Sequence, residues 1–157
     1  MTSTLIITSV ENLQDKITDK IIELKGKPCV YISLNKSQKS MADILSAKNI
    51  NENSLFFIDC VSSSKDEDAI HLGPSDLEML AFSIKEFLNQ IKGEKYLIID
   101  ALSTLLIFNS ENNVIKFTKS LTEFATGQGV QIISFSPKTE GEEMLNKIFN
   151  FFDKVEK

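Results

Sequence analysis

Asp100 is the residue of this chain best placed to do chemistry. It follows the apolar run Tyr96-Leu-Ile-Ile99 and so stands at the end of a strand-like segment, where a carboxylate can face a ligand or a metal. Ser9, Asn35, Ser103, Ser134 and Ser136 are polar groups at comparable positions. Each also has a plain reading as a turn or strand-end residue. No Ser/His/Asp or Cys/His arrangement accompanies them, and Gly-x-Ser-x-Gly is absent. Cys29, Cys60 and His71 are the only cysteines and histidine, and they share no ligand spacing. A zinc site needs about four ligands. The cysteines lie at or near apolar strands and are expected to be buried, reduced thiols. His71 lies in a polar segment and is expected in a solvated loop. No cofactor or metal is expected.

Composition narrows the possible partners. The 157 residues carry a net charge of −5, and all 17 basic residues are lysines. A nucleic-acid binder would show a basic face and arginine forks for phosphates and guanine edges. Direct nucleic-acid binding is therefore not expected, and no arginine finger is available for a neighbour's phosphates. Residues 97–108 form the longest apolar stretch, which is broken by Asp100 and is short of the roughly 20 residues that span a bilayer. The apolar segment 5–10 is too short for a signal peptide and has no basic start. These features predict a soluble, cytoplasmic protein.

The elements that must position Asp100 alternate along the chain. Apolar, β-rich runs over 4–9, 29–34, 55–59, 96–99 and 130–135 read as buried strands. Between them, apolar residues recur at helical spacing over 12–25, around Met41, Ile44 and Leu45, over 75–91, over 113–125 and over 140–149. Ser75 with Glu78 three residues on has capping-box spacing. The tail 151–155 could add an edge strand. Such strand–helix alternation predicts one domain over 1–157, a three-layer α/β/α fold with a mainly parallel central sheet. Residues 62–68 hold three serines, Lys65 and three acids, and are expected to be mobile because they have no apolar anchor.

Several stretches, in order, resemble the RecA/KaiC-like ATPase core of the archaeal KaiC-like type. They are Pro28-Cys-Val-Tyr-Ile-Ser-Leu34, Leu55-Phe-Phe-Ile-Asp-Cys60, Tyr96-Leu-Ile-Ile-Asp-Ala-Leu-Ser-Thr-Leu-Leu106, Gly129-Val-Gln-Ile-Ile-Ser134 and Phe152-Asp-Lys-Val155. The third resembles a Walker B strand, with Asp100 at the position of the Mg²⁺-associated aspartate. The resemblance implies that strand 130–135 lies between strands 4–9 and 96–99. Strand 29–34 should then lie beyond 96–99, followed by 55–59.

The departures from the family pattern are chemical. Such an ATPase carries G-x-x-x-x-G-K-[ST] after its first strand, because backbone N–H groups must wrap the phosphates while lysine and hydroxyl meet phosphate and Mg²⁺. Here the region reads Thr8-Ser-Val-Glu-Asn-Leu-Gln-Asp15, with no glycine and with Glu11 and Asp15 placed to repel a polyphosphate. The resemblance also implies an acid just after the second strand to orient the attacking water. Asn35 stands there and cannot act as a base, and Lys36 reverses the charge. Thr8, Ser9, Asp15, Asn35 and Asp100 are thus vestigial nucleotide-site positions, and no catalytic residue is assigned.

Two functions fit these readings. One is a non-catalytic module, a pseudo-ATPase, that assembles with itself or with a protein partner such as a related KaiC-like ATPase. The other is a small-molecule or nucleotide binder that uses the crevice without a phosphate loop. Leu105, Leu106, Ile107 and Phe108 are the interface candidates. If the next helix starts no earlier than Asn109, residues 102–108 cross the sheet edge with at most one face against the core. They then either pack under the neighbouring helix or meet a partner. What fills the space behind the first strand separates the two functions: an empty anion pocket favours the binder, and a side chain such as Leu13 favours the scaffold.

Overall fold

The computed structural model describes residues 2–50, 54–61, 69–138 and 142–157. The segment 62–68, for which mobility was expected, lies outside the described residues.

The strands are β1 (Ser3–Thr8), β2 (Cys29–Ser33), β3 (Leu55–Asp59), β4 (Ala69–His71), β5 (Lys95–Ile99), β6 (Val130–Pro137) and β7 (Lys154–Glu156). They form one seven-stranded sheet in the order β4-β3-β2-β5-β6-β1-β7. Every pairing is parallel. The order of the five main strands is the one the resemblance implies. The helices are α1 (Val10–Glu23), α2 (Gln38–Ala47), α3 (Leu77–Gln90), α4 (Leu105–Phe108), α5 (Glu111–Ala125) and α6 (Glu142–Ile148).

Helices cover both faces, giving three layers. On one face Leu13, Ile17 and Ile21 of α1 and Met41 and Leu45 of α2 meet Ile6, Tyr31, Ile98 and Phe135 of the sheet. On the other, Leu80, Ile84 and Leu88 of α3 and Val114, Phe117 and Leu121 of α5 meet Leu5, Val30, Leu97 and Ile132. Alternate residues of each central strand thus feed opposite cores, which is why the strands read as continuous apolar runs. Among the described residues no helix is long and apolar enough to cross a membrane.

Three local expectations need correction. The α3 cap is Asp76, whose carboxylate accepts from Met79 N at 3.1 Å, so the Ser75–Glu78 box does not form. His71 is not in a solvated loop: it ends β4, pairs in register with Asp59, and its side chain is only 19% exposed. The helical segment after β5 begins well before Asn109. Ala101 adopts a left-handed conformation at φ 61°, which turns the chain at once into a 3₁₀ turn, Leu102–Thr104, and then α4.

Candidate functional site

In an open parallel sheet, ligands bind beyond the C-terminal ends of the strands where neighbouring connections leave for opposite faces. Here β2 leads into α2 on one face while its neighbour β5 leads into α4 and α5 on the other. A second such point lies between β6 and β1. Both points are closed by the protein's own hydrogen bonds.

Asp100 closes the first. It is fully buried. Its Oδ1 accepts from Leu34 N and from Asn35 N at 3.1 Å, and its Oδ2 accepts from Tyr31 Oη at 2.8 Å. The carboxylate is therefore spent on the turn after β2. Burial pushes it up from 3.8 to about 6, against the opposing pull of Leu34, Tyr31 and Asn35, and the charge of Asp59 adds to the rise. The Tyr31 hydroxyl is held well above its ordinary range by burial first and by Asp100 second.

Asp59 repeats the device from the other side. It ends β3, is 1% exposed, and accepts from Gln38 N at 3.0 Å and Val61 N at 2.8 Å. Its Oδ2 also lies 3.8 Å from His71 Nδ1. Gln38 is the first residue of α2, so two strand-terminal carboxylates grip residues 34–38 from either flank. Asp59 thereby meets the N–H of the first residue of α2, where negative charge is favoured. Ser33 pairs with Asp59 in the register, and among the described residues its buried hydroxyl has no hydrogen-bond partner. Asp59 was not singled out from the sequence, although Leu55-Phe-Phe-Ile-Asp59 repeats the pattern of Tyr96-Leu-Ile-Ile-Asp100.

The second switch point is closed more simply. Strand β1 ends at Thr8 and α1 begins at Val10, so one residue, Ser9, makes the connection. Ser9 Oγ accepts from Asn12 N at 3.3 Å as the N-cap, and the Thr8 carbonyl accepts from Lys138 N at 2.8 Å. Leu13, one turn into α1, is buried against Ile6, Phe135 and Met41.

Of the positions that the family pattern pointed to, Thr8 and Ser9 thus meet at one junction and Asn35 and Asp100 at the other. Asp15 joins neither: it faces solvent on α1, 3.9 Å from Lys48 Nζ. Ser134 and Ser136 are buried on β6, and among the described residues their hydroxyls have no partner. Ser134 borders an apolar void of only about 10 Å³. Cys29 and Cys60 are buried thiols, both pushed up to about 12 by burial, with Asp59 and Asp100 adding to the rise at Cys60. Among the described residues no group of three or more His, Cys, Asp or Glu is placed to hold a metal ion.

The four interface candidates divide. Leu105 is fully buried and Leu106 is half-buried against the same core, so these two serve packing. Ile107 and Phe108 are 75% and 50% exposed. The short helix explains the split, because its four residues point in four directions about 100° apart and only part of a turn can face the core.

No protein-family model and no curated protein matches this chain. Solved structures do match in fold, and three come from Pyrococcus horikoshii OT3. The KaiC-like protein PH0186 aligns with TM-score 0.64 and 13% identity over 87% of this chain and 61% of its own. PH0250 aligns with TM-score 0.68 and 12% identity over 98% and 80%. The uncharacterized protein PH0321, solved in complex with an unknown peptide, aligns with TM-score 0.69 and 15% identity over 98% and 76%. The chain thus has the fold of KaiC-like proteins and spans about three-fifths of the first of these structures.

Proposed function

We propose that the chain is a non-catalytic RecA/KaiC-like domain that works by protein contact, as an assembly or regulatory module. One observation carries the reading: a single residue, Ser9, joins β1 to α1. A phosphate cradle needs a run of backbone N–H groups free to wrap an anion. This joint is one residue long, Ser9 Oγ already takes up the Asn12 N–H, and Leu13, one turn on, is buried in the core beneath α1.

The closed state of Asp100 supports the same reading. An aspartate that serves Mg²⁺ must present free lone pairs to the ion or its waters. This carboxylate is buried and accepts three hydrogen bonds from its own fold. No carboxylate follows β2 to orient a water, since Asn35 and Lys36 stand there. Among the described residues Val10, Val61, Ile107 and Phe108 all follow strand ends and are at least 48% exposed. Apolar surface of that kind marks sites of protein contact. The unknown peptide carried by PH0321 makes a polypeptide partner a natural choice for this fold.

Titration calorimetry with ATP·Mg²⁺ at millimolar nucleotide, paired with a phosphate-release assay, tests the reading. The expected result is no heat of binding and no release. Micromolar binding would overturn it.

A further inference from the structure

We infer that the β7 edge of the sheet pairs with β7 of a second copy of the chain, antiparallel about a twofold axis at Val155, so that Lys154 of each copy faces Glu156 of the other. The inference rests on the protein-contact reading and names a partner and a geometry for it, at a place apart from the exposed apolar residues.

The edge is open on one side and fixed on the other. Strand β7 ends the strand order, and among the described residues no strand pairs with its outer side. Such an edge presents backbone N–H and C=O groups as a template for another chain. On the inner side β7 pairs with β1 from Thr4↔Lys154 to Ile6↔Glu156. Just before it, Asp153 Oδ2 accepts from Thr2 N at 2.7 Å, Thr2 Oγ1 at 2.9 Å and Ser3 N at 3.1 Å, and Asp153 N donates to Ser3 Oγ at 3.0 Å. Val155 packs against the core beneath α5. Side chains alternate along a strand, so Lys154 and Glu156 share the other face. They are about half exposed and lie 2.8 Å apart.

The order of charges selects the partner. In an antiparallel pair about Val155, residue 154 faces 156 and residue 153 faces 157. The stretch Asp153-Lys-Val-Glu-Lys157 then sets an acid against a lysine at every pair but the central one, where valine meets valine. Opposite charges across strands stabilise a sheet, and like charges directly opposed destabilise it. The neighbouring registers that keep the faces matched, about Lys154 or Glu156, set lysine against lysine or glutamate against glutamate. Lysines of one sign would keep a copy away from an edge; here the signs alternate and attract one. Asp153 is already spent on β1, so the two Lys154–Glu156 pairs carry the contact. A carboxylate has lone pairs for a second lysine beside its own. The hydrogen bond from Lys154 holds the Glu156 carboxyl below its ordinary range, with Lys20 and Lys16 of α1 helping, so the negative charge is present at neutral pH.

Sedimentation of the full chain from micromolar to millimolar concentration tests the pairing. A short strand makes few backbone hydrogen bonds, so the wild type should show a weak, reversible monomer–dimer equilibrium. Lys154→Glu and Glu156→Lys each set like charges across the ladder, and each alone should be monomeric over that range. Mixed together they should form a heterodimer, because every glutamate then faces a lysine. The double variant Lys154→Glu with Glu156→Lys should dimerise again with itself. Thermal melts at low concentration should keep one cooperative transition for every variant, which separates loss of pairing from loss of fold. A wild type that stays monomeric to millimolar concentration, a single variant that dimerises as the wild type does, or a mixture that stays monomeric would overturn the pairing. If the chain neither dimerises nor binds ATP·Mg²⁺, only this inference falls; ATP binding would remove the reading beneath it.

Discussion

Two connections on the same edge of the sheet treat their residues in opposite ways. From β1 to α1 the chain spends one linking residue, buries Ile7 and Leu13 on either side of it, and ties the strand end to Lys138. From β5 to α5 it spends residues 100–110, buries Asp100, Leu102 and Leu105, and then releases Ile107 and Phe108 into solvent. A bulky apolar side chain is worth roughly 1.5–3 kcal/mol when buried rather than exposed. The closed connection thus gains from burial, and the open one leaves two large apolar side chains in water. In a nucleotide-binding member of such a fold the first connection would carry the chemistry. Here the longer connection lies elsewhere and carries an apolar patch.

The largest break of this contrast should come from emptying the closed region. Asp100→Ala strands the buried Leu34 N–H and Tyr31 hydroxyl, each costing roughly 1–3 kcal/mol, and frees the part-buried Asn35 N–H. The expected net loss is about 4 kcal/mol, a fall of roughly 10 °C in Tm for a domain of this size, with association unchanged. A loss below about 1 kcal/mol by chemical denaturation would show that the clamp on residues 34–38 is dispensable.

The second test divides α4 itself. Leu105→Ala should cost about 2–5 kcal/mol, as for other buried leucines, whereas Ile107→Ser should stay within about 0.5 kcal/mol. Equal losses in urea titrations would mean that the helix is not split between core and surface.

The third sharpens the electrostatics. The carboxyl of Asp100 is raised in the folded chain from 3.8 to about 6, so the folded state holds a proton that the unfolded state has already lost. Its contribution is fully present below about pH 4 and is lost as pH rises through 6. At ~1.4 kcal/mol per pH unit the loss is about 3 kcal/mol. Asp100→Asn keeps an acceptor for Leu34 and Asn35 without the charge. Its stability relative to wild type should rise by about that amount between pH 4 and pH 7 in urea titrations across the range. A fall instead would show that the three donors outweigh burial.

The smallest expected effect is at the joint. Ser9→Ala removes the cap on Asn12 N and should cost about 1 kcal/mol, read as a small shift in urea midpoint, with no change in sedimentation. A change in association would place the joint in the interface.

Much of this was legible in the residues alone. Apolar runs of strand length, separated by stretches with helical spacing, are local signals, and local signals survive without knowledge of the fold. They were enough for a parallel α/β/α sheet, and the resemblance of the five stretches supplied the strand order. That residues 8–15 hold no glycine and that Asp100 stands at a strand end were equally plain. What tertiary structure decided was convergence. Asp59 and Asp100 meet on one turn because β3 and β5 flank β2, a pairing between residues far apart in sequence. The three residues of β4 are too short to carry a strand signal and become one only by pairing with β3. The fate of residues 102–108 turned on Ala101, whose left-handed backbone is uncommon for any residue but glycine and so could not be read from its identity. That one torsion buried Leu105 and left Phe108 outside, because it set where the helical turns begin and hence which side chains could reach the core.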